Sequence, residues 1–317
     1  MSFDPADVSI AELRRRFVSA GEPVTAHLLR KLQRDPRRGV RQIYEILKRK
    51  HERHRESRLH LEALLNFERV LWSSGIRHLA GVDEAGVGPL AGPVVAAAVV
   101  FPPGTEIADI DDSKRLDPET RAQLAVRIRE TATGVGIGVA SVAEIDSLNV
   151  YRAALLAMRR SVQDLPVRPQ HVLVDARTIP DLDVPQNQFS KGDGINFSIA
   201  AASIIAKTHR DTMMEELHGR FPAYGFAAHK GYATAEHQEA IRRNGPCECH
   251  RRSYAFIGEL CGELSAAFYE LQNELGEIAD RRELRRFEVR LDGRREQLSE
   301  YEHRKLRLAL NRHWKAL

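Results

Sequence analysis

The chain of 317 residues is 43% hydrophobic and 29% charged, with a formal net charge of +4. Those proportions exclude a polar disordered chain and suit one good core with appendages, or two modest domains. The charge is mild, a hint of polyanion partners rather than proof of them. No basic-then-apolar leader pattern opens the sequence. The longest apolar run, Leu90–Phe101, is too short and too broken by Gly and Pro to span a bilayer. A cytoplasmic protein without membrane contact is expected. Three cysteines, Cys247, Cys249 and Cys261, fit a reducing compartment. Cys247-Glu248-Cys249-His250 lacks the spacing and the second ligand pair of common zinc sites, which favours free thiols in a loop.

Residues 1–77 read as a basic, helical extension. Ile10, Leu13 and Phe17 share one helical face, Ile43, Ile46 and Leu47 another, and Leu61, Leu64, Leu65 and Val70 extend the pattern. Residues 34–58 carry ten Arg/Lys against four Asp/Glu, which a solvated helix face and a nucleic-acid contact explain equally well. From about His78 the period changes. Leu79–Asp83, Pro93–Phe101, Gly134–Ser141 and His171–Asp175 are short, rich in Val, Ile and Ala, and read as strands. Short links among the first three favour antiparallel pairing. A helical stretch over Val142–Leu165 is long enough for a crossover that sets the fourth strand parallel to the first. Gln186–Ser190 is a candidate fifth strand, and Ser198–Leu217 and Glu236–Arg243 read as helices. Beyond Tyr254, residues Ile257, Leu260, Leu264, Phe268, Leu271, Leu275 and Ile278 follow a 3-4-4-3-4-3 spacing. Leu306, Leu310 and Trp314 suggest a second helix after an Asp292-Gly293 turn, and a hairpin folded onto its own domain is expected ahead of a dimerising coiled coil.

The stretch Gly81–Leu90 carries the most chemistry. Asp83 and Glu84 close an apolar run, and Gly86-Val87-Gly88 follows. A strand sends adjacent side chains to opposite faces, and the glycines are expected to bend the chain here. Acids beside the N–H groups of a glycine turn suit hard cations and phosphodiesters. Asp175 closes the fourth strand and Asp193 sits in Lys191-Gly192-Asp193-Gly194. If the first and fourth strands are neighbours, Asp83 and Asp175 end side by side. Converging carboxylates repel one another, and all-oxygen ligands favour Mg²⁺ or Mn²⁺ over zinc. Two such ions about 4 Å apart activate a water and stabilise the leaving oxygen of a phosphodiester. Taken singly, an acid at a strand end more often caps a helix or starts a turn. Glu144 and Asp146 at a helix start read as structural, and Asp211 as an outer acid or a surface charge.

In order, Gly81–Leu90, Asp112–Leu116, Glu144–Asn149, Val174–Ala176, Lys191–Asp193, Ala201–Lys207, Tyr224–Tyr232, Gly245-Pro246 and His250–Tyr254 resemble the motifs of bacterial ribonuclease HII. The likeness spans about residues 78–256 as a catalytic domain, extends weakly into residues 1–77, and has no counterpart over the helical residues 257–317. It implies an α/β ribonuclease H-like fold, a mixed five-stranded sheet flanked by helices. It also implies endonucleolytic cleavage of RNA in RNA–DNA hybrids and of lone ribonucleotides in duplex DNA, 5′ to the ribonucleotide, leaving 3′-hydroxyl and 5′-phosphate ends. By position, Asp83, Glu84, Asp175 and Asp193 would be the metal-binding catalytic acids, for two Mn²⁺ or Mg²⁺ ions. Tyr232 matches the tyrosine that packs on the sugar after the ribonucleotide, where an aromatic ring is sensitive to a 2′-hydroxyl. Gly86, Val87 and Gly88 match the turn that senses that hydroxyl. Lys114, Arg115, Lys207, His229 and Lys230 are candidate phosphate contacts.

One departure stands out. The family usually has Gly-Arg-Gly where this chain has Gly86-Val87-Gly88, so the turn's backbone survives but a bidentate phosphate ligand is lost. Cleavage with weaker affinity is expected unless basic groups elsewhere compensate. Two alternatives stay open: a ribonuclease HIII-like enzyme preferring longer RNA tracts, against which Asp193 and the helical N-terminal pattern argue, and a hybrid-binding protein with weak catalysis.

Overall fold

Burial along the strands follows from their composition. β2 (Val94–Val100) is apolar throughout and buried at every position, whereas β3 (Gly134–Ala140) alternates buried with half-buried positions, as an edge strand with one covered face does. The computed structural model describes residues 3–261, 264–298 and 300–316. With β1 (Leu79–Ala85), β4 (His171–Asp175) and β5 (Gln186–Phe189), these strands form a five-stranded sheet of order β3-β2-β1-β4-β5. β1 pairs antiparallel with β2 and parallel with β4; β2–β3 is antiparallel and β4–β5 parallel. The mixed five-stranded sheet that the resemblance implies is present.

Helices cover both faces. Val150–Gln163 packs Ala153, Ala157 and Met158 against Ala80, Val82, Ala96 and Val174. Phe197–Arg220 lies across the other face so closely that a Cβ on Gly81 would sit 2.1 Å from the Ser198 carbonyl carbon. Only glycine permits that approach. Phe67, Leu71 and Trp72 complete this side against Leu79, Leu173 and Ile199.

Three expectations change. The expected helix Val142–Leu165 is two helices, Val142–Leu148 and Val150–Gln163, broken at Asn149, whose φ is 73° and whose side chain accepts from the N–H groups of Tyr151 and Arg152. β1 runs past the expected end at Asp83 to Ala85, with Glu84 opposite Ala96, and the glycine turn then starts at Gly86 (φ 96°), where the bend was expected. The C-terminal hairpin becomes three helices, Ala266–Glu277, Arg281–Gly293 and Glu300–Ala316, among the described residues. They share a core of Phe268, Leu271, Leu275, Leu284, Phe287, Leu291, Leu306 and Leu310. Asp280 caps the middle helix, and Asp292-Gly293 lies at that helix's end rather than between two long arms.

The chain divides into two compact units, Met1–Leu65 and Asn66–Leu317. The first packs helices Ala26–Arg34 and Arg38–Leu64 with the Leu13 and Phe17 turns around Leu28, Leu32, Val40, Ile43 and Leu47. Ile46 and Val70, placed on apolar faces by their spacing, are 41% and 63% exposed.

Candidate active site

β4 ends at Asp175, one residue past the Val82–Val174 pair, so Asp175 stands beside Asp83. Odd positions of β1 face the Phe197–Arg220 helix and even positions face Val150–Gln163. Asp83 accordingly lies toward Ser203, whose hydroxyl favours its charged form and meets Ser113 Oγ at 2.9 Å. Glu84 borders a cavity lined by Val150, Tyr151 and Ala154. The two side chains leave opposite faces and converge again on Asp175: one oxygen from each of the three lies within 4.8 Å of the others. Asp175 accepts from the Gly192 N–H at 2.6 Å, which ties it to the Gly192–Gly194 turn carrying Asp193.

The cluster is electrostatically uncomfortable. Burial, then the charges of Glu84 and Asp175, hold the Asp83 carboxyl well above the ordinary range. Burial and the Asp175 charge push Glu84 up to about 7. Burial raises Asp175 too, opposed by the Gly192 N–H. Glu84 Oε2 is buried without a hydrogen-bond partner. Three converging acids, one with an orphaned oxygen, fit a hard divalent cation. Asp193, buried, stands outside this group of three and pairs with Lys114 Nζ at 3.2 Å.

The turn after the acids is fixed by two fully buried arginines. Arg210 donates to the carbonyls of Pro93 (3.0 Å), Ala91 (3.1 Å) and Lys230 (3.0 Å). Arg251 donates to Gly86 (2.6 Å), Gly92 (2.9 Å), Val87 (3.0 Å) and Pro93 (3.2 Å). A Cβ on Gly86 would lie 2.1 Å from Arg210 Nε, so the staple needs glycine there. Sequence reasoning gives these two arginines no role. The available signals were a charge inside an apolar helix and a place in the His250–Tyr254 motif.

The remaining candidates divide. Tyr232, 44% exposed, lies beside Gly88, with Lys207 Nζ 5.8 Å from its ring centroid. Lys207 pairs with Asp211 at 2.6 Å, and Arg121 completes that pair at 3.2 Å. Arg115 turns to Asp111 (3.5 Å) and Lys230 to Glu215 (2.8 Å). His229 donates to the Tyr224 carbonyl and accepts from the Gly231 N–H, and burial lowers its pKa. Val87 exposes its side chain to the cavity at Glu84. Glu144 caps its own helix with Ser141 and pairs with Arg160, as a structural acid should.

A sequence profile described as Ribonuclease HII matches residues 80–257, and one described as Ribonuclease HII N-terminal domain matches residues 9–72. The chain belongs to the ribonuclease HII family. The ribonuclease HII of Myxococcus xanthus is 49% identical over 255 residues, covering 80% of this chain and 87% of that one. That of Geobacillus thermodenitrificans is 48% identical over 231 residues, covering 73% and 89%. Among solved structures, the ribonuclease H2 from Pyrococcus horikoshii OT3 aligns at a TM-score of 0.47 and 24% identity, over 58% of this chain and 96% of that one. Ribonuclease HII is a metal-dependent endoribonuclease that cleaves RNA in RNA–DNA hybrids, including embedded ribonucleotides, and this chain has an acid cluster, Asp83, Glu84 and Asp175, that could hold a metal ion.

Proposed function

We propose that the chain hydrolyses the phosphodiester 5′ to a ribonucleotide, leaving 3′-hydroxyl and 5′-phosphate ends, in RNA–DNA hybrids and at lone ribonucleotides in duplex DNA. The observation that carries this reading is the convergence of Asp83, Glu84 and Asp175 within 4.8 Å at the ends of two parallel strands. With Asp193 they would hold two ions, Mg²⁺ or Mn²⁺. The chemistry such cations supply is activation of a water nucleophile and neutralisation of charge on the departing oxygen.

The protein's own groups do the rest. Gly192 N–H orients Asp175, and Ser203 orients Asp83. The Gly86–Gly88 turn, held by Arg251 from behind, offers its backbone to the 2′-hydroxyl, and Tyr232 packs on the following sugar. Lys207 and Lys114 stand at the same end of the sheet as phosphate contacts. Each would leave a present partner to do so, Asp211 for Lys207 and Asp193 for Lys114, and the same holds for Arg115, His229 and Lys230. Residues 78–256 form the catalytic domain in this reading, and the basic stretch 34–58 extends the duplex-binding surface. The cytoplasm is the proposed compartment: Cys247, Cys249 and Cys261 form no disulfide among the described residues, and no described helix is long and apolar enough to cross a membrane.

A duplex carrying one embedded ribonucleotide, incubated with Mg²⁺ or Mn²⁺, tests the reading. One cut on the 5′ side of the ribonucleotide is expected. No product with either ion overturns the catalytic assignment, and cleavage confined to longer RNA tracts overturns the substrate assignment.

A further inference from the structure

Two exposed tyrosines stand at the acid cluster, each with a cation over its ring. Tyr232 carries Lys207 at 5.8 Å. Tyr151, 45% exposed, carries the Arg177 guanidinium carbon at 4.0 Å from its ring centroid. The Gly86–Gly88 turn lies between them. Gly88 faces Tyr232, while Val87 lines a cavity of about 190 Å³ together with Tyr151, Arg177, Glu84 and Asp175.

The two cations are engaged differently. Lys207 is ion-paired with Asp211. Arg177 is exposed, and among the described residues its guanidinium has no carboxylate partner. The backbone nonetheless fixes where it stands. β4 ends at Asp175, Ala176 takes a φ of 58°, and the Arg177 N–H returns to the Asp175 carbonyl at 2.7 Å. Non-glycine residues rarely adopt such a φ. Asn149 fixes Tyr151 in turn through the cap described above. A second cavity, of about 340 Å³, continues from Tyr151 and Leu155 past Arg152 to Arg159. A trough with guanidiniums along it therefore leaves the acids on the side away from Tyr232.

We propose that Arg177, supported on the face of Tyr151, binds a backbone phosphate of the substrate duplex, on the opposite side of the acids from Tyr232. The inference rests on the function proposed above, which places the scissile phosphodiester at Glu84 and Asp175. Neighbouring phosphates of the same strand then pass the cavity wall. A guanidinium presents a planar fork that matches two phosphate oxygens, and stacking on an aromatic ring preorganises it. Val87, Ala154 and Met158 make part of that wall apolar.

The test measures Kd by fluorescence anisotropy, with full-length protein, a duplex carrying one ribonucleotide and Ca²⁺, over a range of salt. KM and kcat for cleavage follow in Mn²⁺. Arg177→Ala is expected to weaken Kd and KM roughly tenfold, to leave kcat within about twofold, and to flatten the log Kd against log salt slope by about one. Arg177→Lys keeps the charge and should keep the slope. An unchanged Kd and slope in Arg177→Ala overturns the proposal. So does a lower kcat with an unchanged slope, the mark of a disturbed fold rather than a lost phosphate contact. Wild-type protein that binds but never cuts this duplex would fail the proposed function, while the Kd series still decides the contact.

Discussion

The acid cluster and the turn that follows it are neighbours in sequence, yet they are balanced in opposite ways. At Asp83, Glu84 and Asp175, negative charge exceeds its partners, and a buried Glu84 oxygen has none. At Gly86–Pro93, donors and acceptors match: Arg210 and Arg251 direct their forks at main-chain carbonyls while fully buried. Burial, then the nearby charge of Arg251, brings Arg210 down to about 10, so it stays a cation at neutral pH. Rigidity thus comes from the saturated turn, and the acids can remain undercompensated beside it. A cluster that supplied its own counter-charges would have no affinity left for a cation.

The sharpest way to break this contrast is to remove charge from the cluster. Asp83→Asn should lower kcat on the order of 10³-fold, about 4 kcal/mol of lost transition-state stabilisation. The same change relieves repulsion at a buried site, so urea unfolding of the metal-free protein should show it about 1–2 kcal/mol more stable than wild type. Full activity, or a destabilised variant, would show that the acids are balanced after all. The opposite experiment is Arg251→Met, which keeps much of the volume and strands several carbonyls. It should cost about 3 kcal/mol in urea unfolding, and a loss below about 1 kcal/mol would show that the turn holds itself.

A smaller effect is expected at Val87, whose carbonyl is held by Arg251 and Tyr254 while its side chain faces the cavity. Val87→Arg leaves that backbone in place and adds a phosphate ligand. KM should fall roughly tenfold, about 1.4 kcal/mol, with kcat unchanged. An unchanged KM across several salt concentrations would show that other cations, Arg177 among them, already saturate the contact.

Much of this was legible in the sequence, for local reasons. The uninterrupted apolar run of β2 and the length of the crossover leave few topologies, and each clustered acid stands at an element end. What stayed hidden depends on distant partners. β1 continues through Glu84 because Ala96 pairs with it, which no local pattern announces. Arg210 and Arg251 have no role in the sequence reading until the carbonyls of Gly86, Ala91 and Pro93 surround them. The spacing of residues 257–278 predicted one apolar seam, but only its part from Leu264 to Ile278 lines the C-terminal core, while Ile257 packs with Leu90 and Met214 and Leu260 is exposed. Leu284, Phe287 and Leu291, on a helix otherwise rich in charge, fill that core.

The finest probe of the contrast is the proton, because it occupies Glu84 when no cation does. With its pKa up to about 7 in the folded chain, against an ordinary value of 4.5, Glu84 holds a proton more tightly folded than unfolded. Its contribution to stability is therefore complete below about pH 4.5 and is lost as pH rises through about 7. His237 works the other way: burial holds it down to about 4, so its contribution is lost as pH falls. The two are separated by comparing wild type with Glu84→Gln, which mimics the protonated acid at every pH. In EDTA, Glu84→Gln should match wild type near pH 4 and exceed it by about 3 kcal/mol near pH 8 in urea unfolding. Mg²⁺ or Mn²⁺ should erase the difference, since a bound cation does for the carboxylate what the proton did. A difference that ignores both pH and cation would mean that Glu84 already has a counter-charge, and the acid cluster would then be balanced like the turn beside it.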